Sequence, residues 1–406
     1  MKTILAISII FSFNAFQNLF FLFEKVEMQE TPVARDSLLT ASICFVGDLM
    51  CHSTQFNYAR VGADTFDFTG VYSEVKPYLQ SANLTIGNLE TVIAGKKKGF
   101  SGYPYFNAPD DFIYALKDAG FDLLITANNH SLDQGWGGVK RTIDVINKNK
   151  IHRTGTYTSQ EDSDSIRIFM INSIKVAILA YTEHTNDVSF PKGKDFIVKL
   201  IDVKQIENDI KKARSKNVDM VLVHLHYGPE YNREPSAYQK EIVQKTILFG
   251  ADIIIGGHPH VVQPFDFFES NNSKIDSGFI AYSMGNFISN QRWRYSDAGV
   301  ILNIQLAKNR FTDSVFISDV NYLPTWVFKG NTENGRKYII LPSQLSESDS
   351  VYSYLTKKDK RLMREAFEDT KEIITKYNKK PNLISIKNDE EITYSNTKHL
   401  PDTTAH

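Results

Sequence analysis

The sequence predicts an α/β protein with a central, mostly parallel sheet. Three observations carry that expectation. Apolar, β-rich runs alternate with amphipathic helical stretches from about residue 41 to about residue 290. Runs such as Asp252-Ile253-Ile254-Ile255 are continuously apolar after their first residue, as in strands covered on both faces. Each run ends in Gly, Asn, Asp or His, the residues that turn a chain out of a strand.

The elements follow in order. Thr3 to Phe23 is almost wholly apolar, with Asn14, Gln17 and Asn18 as its strong polar interruptions. That length suits a membrane-spanning helix or a long signal peptide, so residues 1–24 read as a signal peptide or membrane anchor, an N-terminal apolar helix. Lys2 lies before it, and Glu24, Glu27 and Glu30 lie after it. Basic residues stay inside, so the body of the chain is expected outside the cytoplasm, anchored to or secreted across the membrane. A polar linker over residues 25–40 leads into the folded body, 41–330.

Within the body the expected strands are Ser42–Val46, Leu84–Ile86, Phe121–Thr126, Val176–Tyr181, Val218–Val223 and Ala251–Ile255. The expected helices are Asp110–Ala119, Gly137–Asn149, Val203–Ser215 and Ser236–Phe249. From Pro264 the pattern changes to consecutive strands, Phe265–Phe268, Phe279–Met284, Gly299–Leu306 and Val315–Tyr322, which read as the antiparallel part of a second sheet. A C-terminal extension, 331–378, carries a charged helix from Lys358 to Tyr377. The tail, 379–406, is polar and aperiodic, and disorder is expected there.

Composition narrows the function classes. Forty-six basic residues balance 47 acidic ones, and the formal net charge is −1. No nucleic-acid partner is expected, because a phosphate backbone is met by clustered excess base. The runs Lys96-Lys97-Lys98 and Lys379-Lys380 read as solvated surface. Two cysteines, Cys44 and Cys51, exclude a disulfide scaffold and a four-thiolate zinc site.

Ligands of open α/β sheets bind beyond the carboxyl ends of the strands. Those ends here read Gly47-Asp48-Leu49-Met50, Asn88-Leu89-Glu90, Asn128-Asn129-His130-Ser131-Leu132-Asp133, His224-Leu225-His226 and His258-Pro259-His260. Five of the ten histidines therefore fall at three strand ends, beside Asp48 and Glu90. Imidazoles with carboxylates are the donors of a transition-metal site, and Zn, Mn and Fe all fit. Taken singly, each group has a plain structural use: Asp48 as a turn residue, Asn128-Asn129 as a helix cap, one of the two β-strand histidines as core. Their convergence on successive strand ends favours one shared site. Cys51 and His52 read as bystanders.

The run of motifs resembles the CapA family, linked to poly-γ-glutamate capsule synthesis and related to the calcineurin-like metallophosphoesterases. The matching pieces are Gly-Asp-Leu-Met at 47–50, Asn-Leu-Glu at 88–90, Ala-Asn-Asn-His-Ser-Leu-Asp-Gln-Gly at 127–135, His-Tyr-Gly-Pro-Glu-Tyr at 226–231, Gly-His-Pro-His-Val-Val-Gln-Pro at 257–264 and Tyr-Ser-Met-Gly-Asn-Phe at 282–287. The resemblance implies a layered α-β-β-α sandwich of two mixed sheets with one or two divalent ions at the strand ends. It implies that Asp48 and His260 hold a first ion, that Glu90 bridges, and that Asn129, His226 and His258 hold a second. His224 is the alternative to His226. The resemblance implies that His130 is the general acid or transition-state donor, positioned by Asp133. Two positions depart from the phosphoesterase pattern: Met50 stands where an imidazole is expected, and Asn88 where a bridging Asp is expected. Both weaken the expected first metal position.

Two functions follow from the resemblance. One is a metal-dependent hydrolase acting on a phosphoester or an anionic polymer linkage at the cell envelope. The other is a non-catalytic component that binds, exports or anchors capsule polymer, in company with other capsule-synthesis proteins.

Overall fold

The computed structural model describes residues 37–384, apart from 273, 276 and 345–351. The chain divides into Met1–Ser37 and Leu38–His406, and every strand and helix named belongs to the second unit. The expected N-terminal apolar helix and the tail beyond residue 384 lie outside the described residues. Among the described residues no helix is long and apolar enough to cross a membrane.

The chain opens with β1 (Leu38–Leu49), α1 (Ser53–Ala59), α2 (Lys76–Gln80), β2 (Leu84–Leu89), α3 (Asp111–Ala119) and β3 (Leu123–Ile125). It continues with α4 (Gly135–Lys148), β4 (His152–Thr154), α5 (Gln160–Asp164), β5 (Arg167–Ile171), β6 (Ile174–Thr182), α6 (Val203–Ser215) and β7 (Met220–His226). Then come α7 (Ala237–Leu248), β8 (Ile253–Gly257), β9 (Phe265–Glu269), β10 (Ser277–Ala281) and β11 (Asn286–Ile288). The last elements are β12 (Ala298–Asn309), β13 (Val315–Thr332), β14 (Gly335–Pro342), α8 (Lys357–Ile374) and β15 (Asn382–Leu383).

Two mixed sheets result. The first runs β14-β13-β12-β1-β2-β3-β4, with β11 on β1 and β15 on β13. The second runs β5-β6-β7-β8-β10-β9. β1, β2, β3 and β4 are parallel, as are β6, β7, β8 and β10. Antiparallel pairs extend both sheets.

The layers follow from where the apolar residues face. Ile43, Phe45, Ile86 and Ile125 of the first sheet meet Val176, Ile178, Leu222 and Ile255 of the second in one buried cluster. The outer face of the second sheet packs Val221, Val223 and Ile254 on Ile206 and Ile210 of α6 and Ile242 of α7. The outer face of the first sheet packs Cys44, Val46 and Leu124 under Phe112, Ile113 and Leu116 of α3. Truncating one such core side chain costs about 2–5 kcal/mol. The helices are capped by their own sequence: Asp202 accepts from the Gln205 amide at α6, and Ser236 with Gln239 forms a capping box at α7.

Three expectations are corrected. Gly299–Leu306 and Val315–Tyr322 form strands but not in the second sheet: β12 pairs along β1 from Leu38 to Val46, and β13 follows it. Alternating hydrophobicity marks a strand and leaves its partner open. The expected boundary at residue 330 falls inside β13, whose hairpin with β14 continues the first sheet. Asn382 and Leu383, within the expected disordered tail, pair with Asn321 and Tyr322.

Candidate metal centre

The parallel strands of both sheets end at one edge, and the close approach of the two sheets there is set by glycine. A Cβ on Gly47 would lie 1.8 Å from the Gly285 carbonyl oxygen, so only glycine lets β1 pass that turn. The Asp48 amide then donates to the same Gly285 oxygen at 2.9 Å. A Cβ on Gly257 would stand 2.9 Å from Asp48 Oδ1 and 3.3 Å from His226 Nδ1. That glycine keeps the floor of the site open.

Asp48 is wholly buried. Its Oδ1 accepts from Asn88 Nδ2 at 2.7 Å, and its Oδ2 lies 3.3 Å from the His258 amide and 3.4 Å from His260 Nδ1. Burial pushes its carboxyl up, but His260 and the Asn88 amide outweigh that and hold it below the usual range. Glu90 is also wholly buried, and neither carboxylate oxygen has a hydrogen-bond partner among the described residues. Its Oε1 lies 3.6 Å from His226 Nε2 and 3.9 Å from His260 Nε2. Burial first, then the negative charges of Asp48 and Glu230, push Glu90 well above the usual range.

The histidines complete the pocket. His226 Nε2 is 2.8 Å from Asn129 Oδ1, and its ring centre is 4.8 Å from that of His258. Burial drives His226 well below the ordinary imidazole value and His258 down to about 3, with neighbouring imidazoles adding to both shifts. Neutral imidazole is the form that binds a metal. His258 and His260 both have positive φ, 91° and 58°, on the turn after β8. Held strain of this kind concentrates at functional sites.

Three sets of donor atoms lie within 4.8 Å of one another: Asp48, Glu90 and His260; Glu90, His226 and His258; Glu230, His258 and His260. The donors fit a divalent ion. Among the described residues no hydrogen-bond donor reaches either oxygen of the buried Glu90 carboxylate, and the buried His258 Nδ1 has no partner there either. An unpaired buried carboxylate is costly, and a cation removes that cost.

His130 sits beside this centre. Its Nδ1 lies 2.8 Å from Asp133 Oδ2, and its ring meets Phe106 edge-on at 4.7 Å. Asp133 Oδ2 also accepts from the Phe106 amide at 2.7 Å. Asn186 Nδ2 lies 3.5 Å from His130 Nδ1, and Asn129 donates to Asn186 Oδ1 at 3.2 Å.

The expected residues Asp48, Glu90, Asn129, His226, His258 and His260 thus come together, with His130 and Asp133 adjoining. His224 shares the face of β7 with His226, is buried, and enters none of the three donor sets. Met50 is buried, and its Sδ lies 3.6 Å from Ser289 Oγ.

The family model described as bacterial capsule synthesis protein PGA_cap matches residues 42–291, a span that holds every residue of this centre. The chain belongs to that family. It is 30% identical over 283 residues to the capsule biosynthesis protein CapA of Bacillus anthracis, which covers 66% of this chain and 64% of that protein. It is 29% identical over 305 residues to the PGA biosynthesis protein CapA of Bacillus subtilis (strain 168), covering 72% and 74%. Among solved structures, a phosphatase of Mycoplasma pneumoniae aligns at a TM-score of 0.43 and 15% identity, over 70% of this chain and 93% of that one. The NAD nucleotidase of Haemophilus influenzae aligns at 0.45 and 15%, over 86% and 64%. Likeness at that level bears on no chemical assignment.

Within the family span, sequence reasoning gave no role in the site to four residues. Asn88 joins the two sheets by contacting Asp48 Oδ1 and, at 3.1 Å, His226 Nδ1. Asn286 Oδ1 lies 3.1 Å from His260 Nδ1 and orients that ring. Asn186 comes from the loop after β6, and Glu230 from the loop after β7. Asn88, Glu230 and Asn286 all stand inside motifs already singled out, so their position was the available signal. Asn186 had none, because its loop has no readable pattern.

Proposed function

We propose that this protein is a metal-dependent hydrolase of a phosphoester or an anionic polymer linkage in capsule metabolism, working outside the cytoplasmic membrane. The observation that carries the reading is Glu90, a buried carboxylate that no hydrogen-bond donor reaches among the described residues, standing within 4 Å of His226 and His260.

Asp48, Glu90 and His260 would hold one divalent ion, and Glu90, Asn129, His226 and His258 another, with Glu90 common to both. A divalent cation supplies Lewis-acid polarisation of an anionic oxygen and a supply of hydroxide near neutral pH. The protein's own groups do the rest. Asp133 accepts a hydrogen bond from His130 Nδ1–H and supports the imidazolium form, whose Nε2–H can then pass its proton to a departing oxygen and leave the ring neutral. The Phe106 amide fixes Asp133, and the Phe106 ring fixes the imidazole plane. Burial of the donors excludes competing water from the centre. The apolar stretch Thr3–Phe23, with Lys2 before it, supports the extracytoplasmic placement and contact with a membrane.

A second reading, binding of a capsule polymer without cleavage, gains from Tyr231 and Trp293, 40% and 51% exposed, whose ring centres lie 5.2 Å apart next to His260.

The test is turnover by the full chain in mild detergent with Mn or Zn, on p-nitrophenyl phosphodiesters and on poly-γ-glutamate. Metal-dependent release of product is expected, and Asp133→Asn is expected to lower it by about 10–100-fold with metal content unchanged. A folded, metal-loaded sample inactive on every substrate would remove the hydrolase. A His258→Ala/His260→Ala double variant then separates the readings: loss of surface polymer with polymer binding retained favours cleavage, and loss of both favours binding.

A further inference from the structure

We infer that Glu230 is an outer carboxylate ligand of the metal centre, closing it from the solvent side and supplying the donor that β1 does not provide. The inference rests on the metal-binding reading above and goes beyond it by adding a residue and a role.

β1 brings one donor to the centre. Met50 lies just past the end of β1, where the pairing of that strand is already irregular, and is buried. Its thioether is a poor ligand for Mn or Zn in an oxygen–nitrogen site, and its sulfur is already approached by Ser289 Oγ. The set Asp48, Glu90 and His260 therefore offers three side chains. Zn2+ held by three side chains keeps its fourth position open to solvent or to one further donor.

Glu230 is placed to add one. The Tyr231 amide donates to the Pro259 carbonyl at 2.8 Å, between His258 and His260. That bond pins the loop after β7 to the turn after β8, with Tyr231 held at a φ of 63°. Glu230 Oε1 consequently lies 3.9 Å from His260 Nε2 and within the donor set shared with His258.

The arrangement has a simple symmetry of connection. Glu90 joins both inner donor sets from below, and the Glu230 set takes His260 from one of them and His258 from the other. The His258 Nδ1 is buried and has no hydrogen-bond partner among the described residues. The two carboxylates differ in exposure: Glu90 is sealed in, whereas the Glu230 side chain is 42% exposed. An exposed carboxylate on a loop can swing onto an ion and away from it at little cost.

The experiment is calorimetric titration of Mn2+ into the full chain, stripped with chelator and held in mild detergent, beside Glu230→Gln and Glu90→Gln. Circular dichroism melts in chelator report whether each variant is folded, and Glu230 is exposed enough for substitution to leave the fold intact. Glu230→Gln is expected to weaken one binding step by about tenfold or more and leave the other within about twofold. Glu90→Gln is expected to weaken both. A Glu230→Gln isotherm that superimposes on the unmodified one overturns the role of Glu230 and leaves the metal centre standing. A stripped, folded protein that takes up neither Mn2+ nor Zn2+ at millimolar concentration overturns the metal centre itself.

Discussion

Asp252, at the start of β8, and Glu90, just past β2, are both wholly buried, and their surroundings are opposite. Asp252 accepts hydrogen bonds at both oxygens: from the Val221 amide at 2.7 Å, Arg214 Nη2 at 2.6 Å, Ser270 Oγ at 3.1 Å and Asn272 Nδ2 at 3.3 Å. Glu90 accepts none among the described residues. Burial pushes both carboxyls up, but at Asp252 the Arg214 guanidinium pulls the other way, whereas at Glu90 neighbouring carboxylates push further. Asp252 is a finished structural charge that ties the loops at the lower edge of the second sheet. Glu90 is an unfinished one, and it sits where histidines gather. Buried acidity alone marks neither role; the state of its partners does.

Substitutions that swap these fates would break the comparison. Asp252→Ala removes the carboxylate that Arg214 pairs with and is expected to cost about 3–5 kcal/mol in urea unfolding, with metal uptake unchanged. A loss of metal without a loss of stability would reverse the assignment. Metal itself is the next lever. Mn2+ at 100 times its Kd is expected to stabilise the protein by about 2.7 kcal/mol, read as a rise in Tm that chelator reverses. No rise would mean that Glu90 stays unfinished in the working protein.

Gly257→Ala adds a Cβ close to Asp48 and His226, and an overpacked site of this kind costs about 1–3 kcal/mol. Its metal affinity is expected to fall with its stability, whereas Asp252→Ala separates the two. The smallest stability effect is expected for Glu90→Gln in chelator, under about 1 kcal/mol, since the amide keeps the shape and removes the charge. The same variant is expected to lose the metal-induced rise in Tm. Thermal melts with and without Mn2+ check both halves.

Much of the fold was legible along the chain because strands and helices are local patterns. The alternation of apolar runs with amphipathic stretches located β1, β2, β6, β7, β8 and the helices α3, α4, α6 and α7 to within a few residues. The short β4 and β5 left no such trace. The residues at the strand ends were enough to gather Asp48, Glu90, His130, His224, His226, His258 and His260, because parallel strands end on one edge. Asn129 as a ligand, and His226 ahead of His224, came from the family resemblance.

What the chain could not state by itself is which of several equivalent residues points into that edge. His224 and His226 lie on the same face of β7, two residues apart, and only the depth of β7 against β2 and β8 brings His226 to Glu90. β12 and β13 carry the same alternation as any strand, and the place of β12 beside β1 was decided by pairing across more than 250 residues of chain, with β13 following β12. Asn88, Asn286 and Glu230 are ordinary polar residues until the two sheets meet, when they become the partners of Asp48 and His260. The sequence determined the kinds of donor and the strands that carry them, since period and propensity act between near neighbours. The tertiary structure alone decided distances and partners, because those depend on how two sheets pack and where glycine lets them touch.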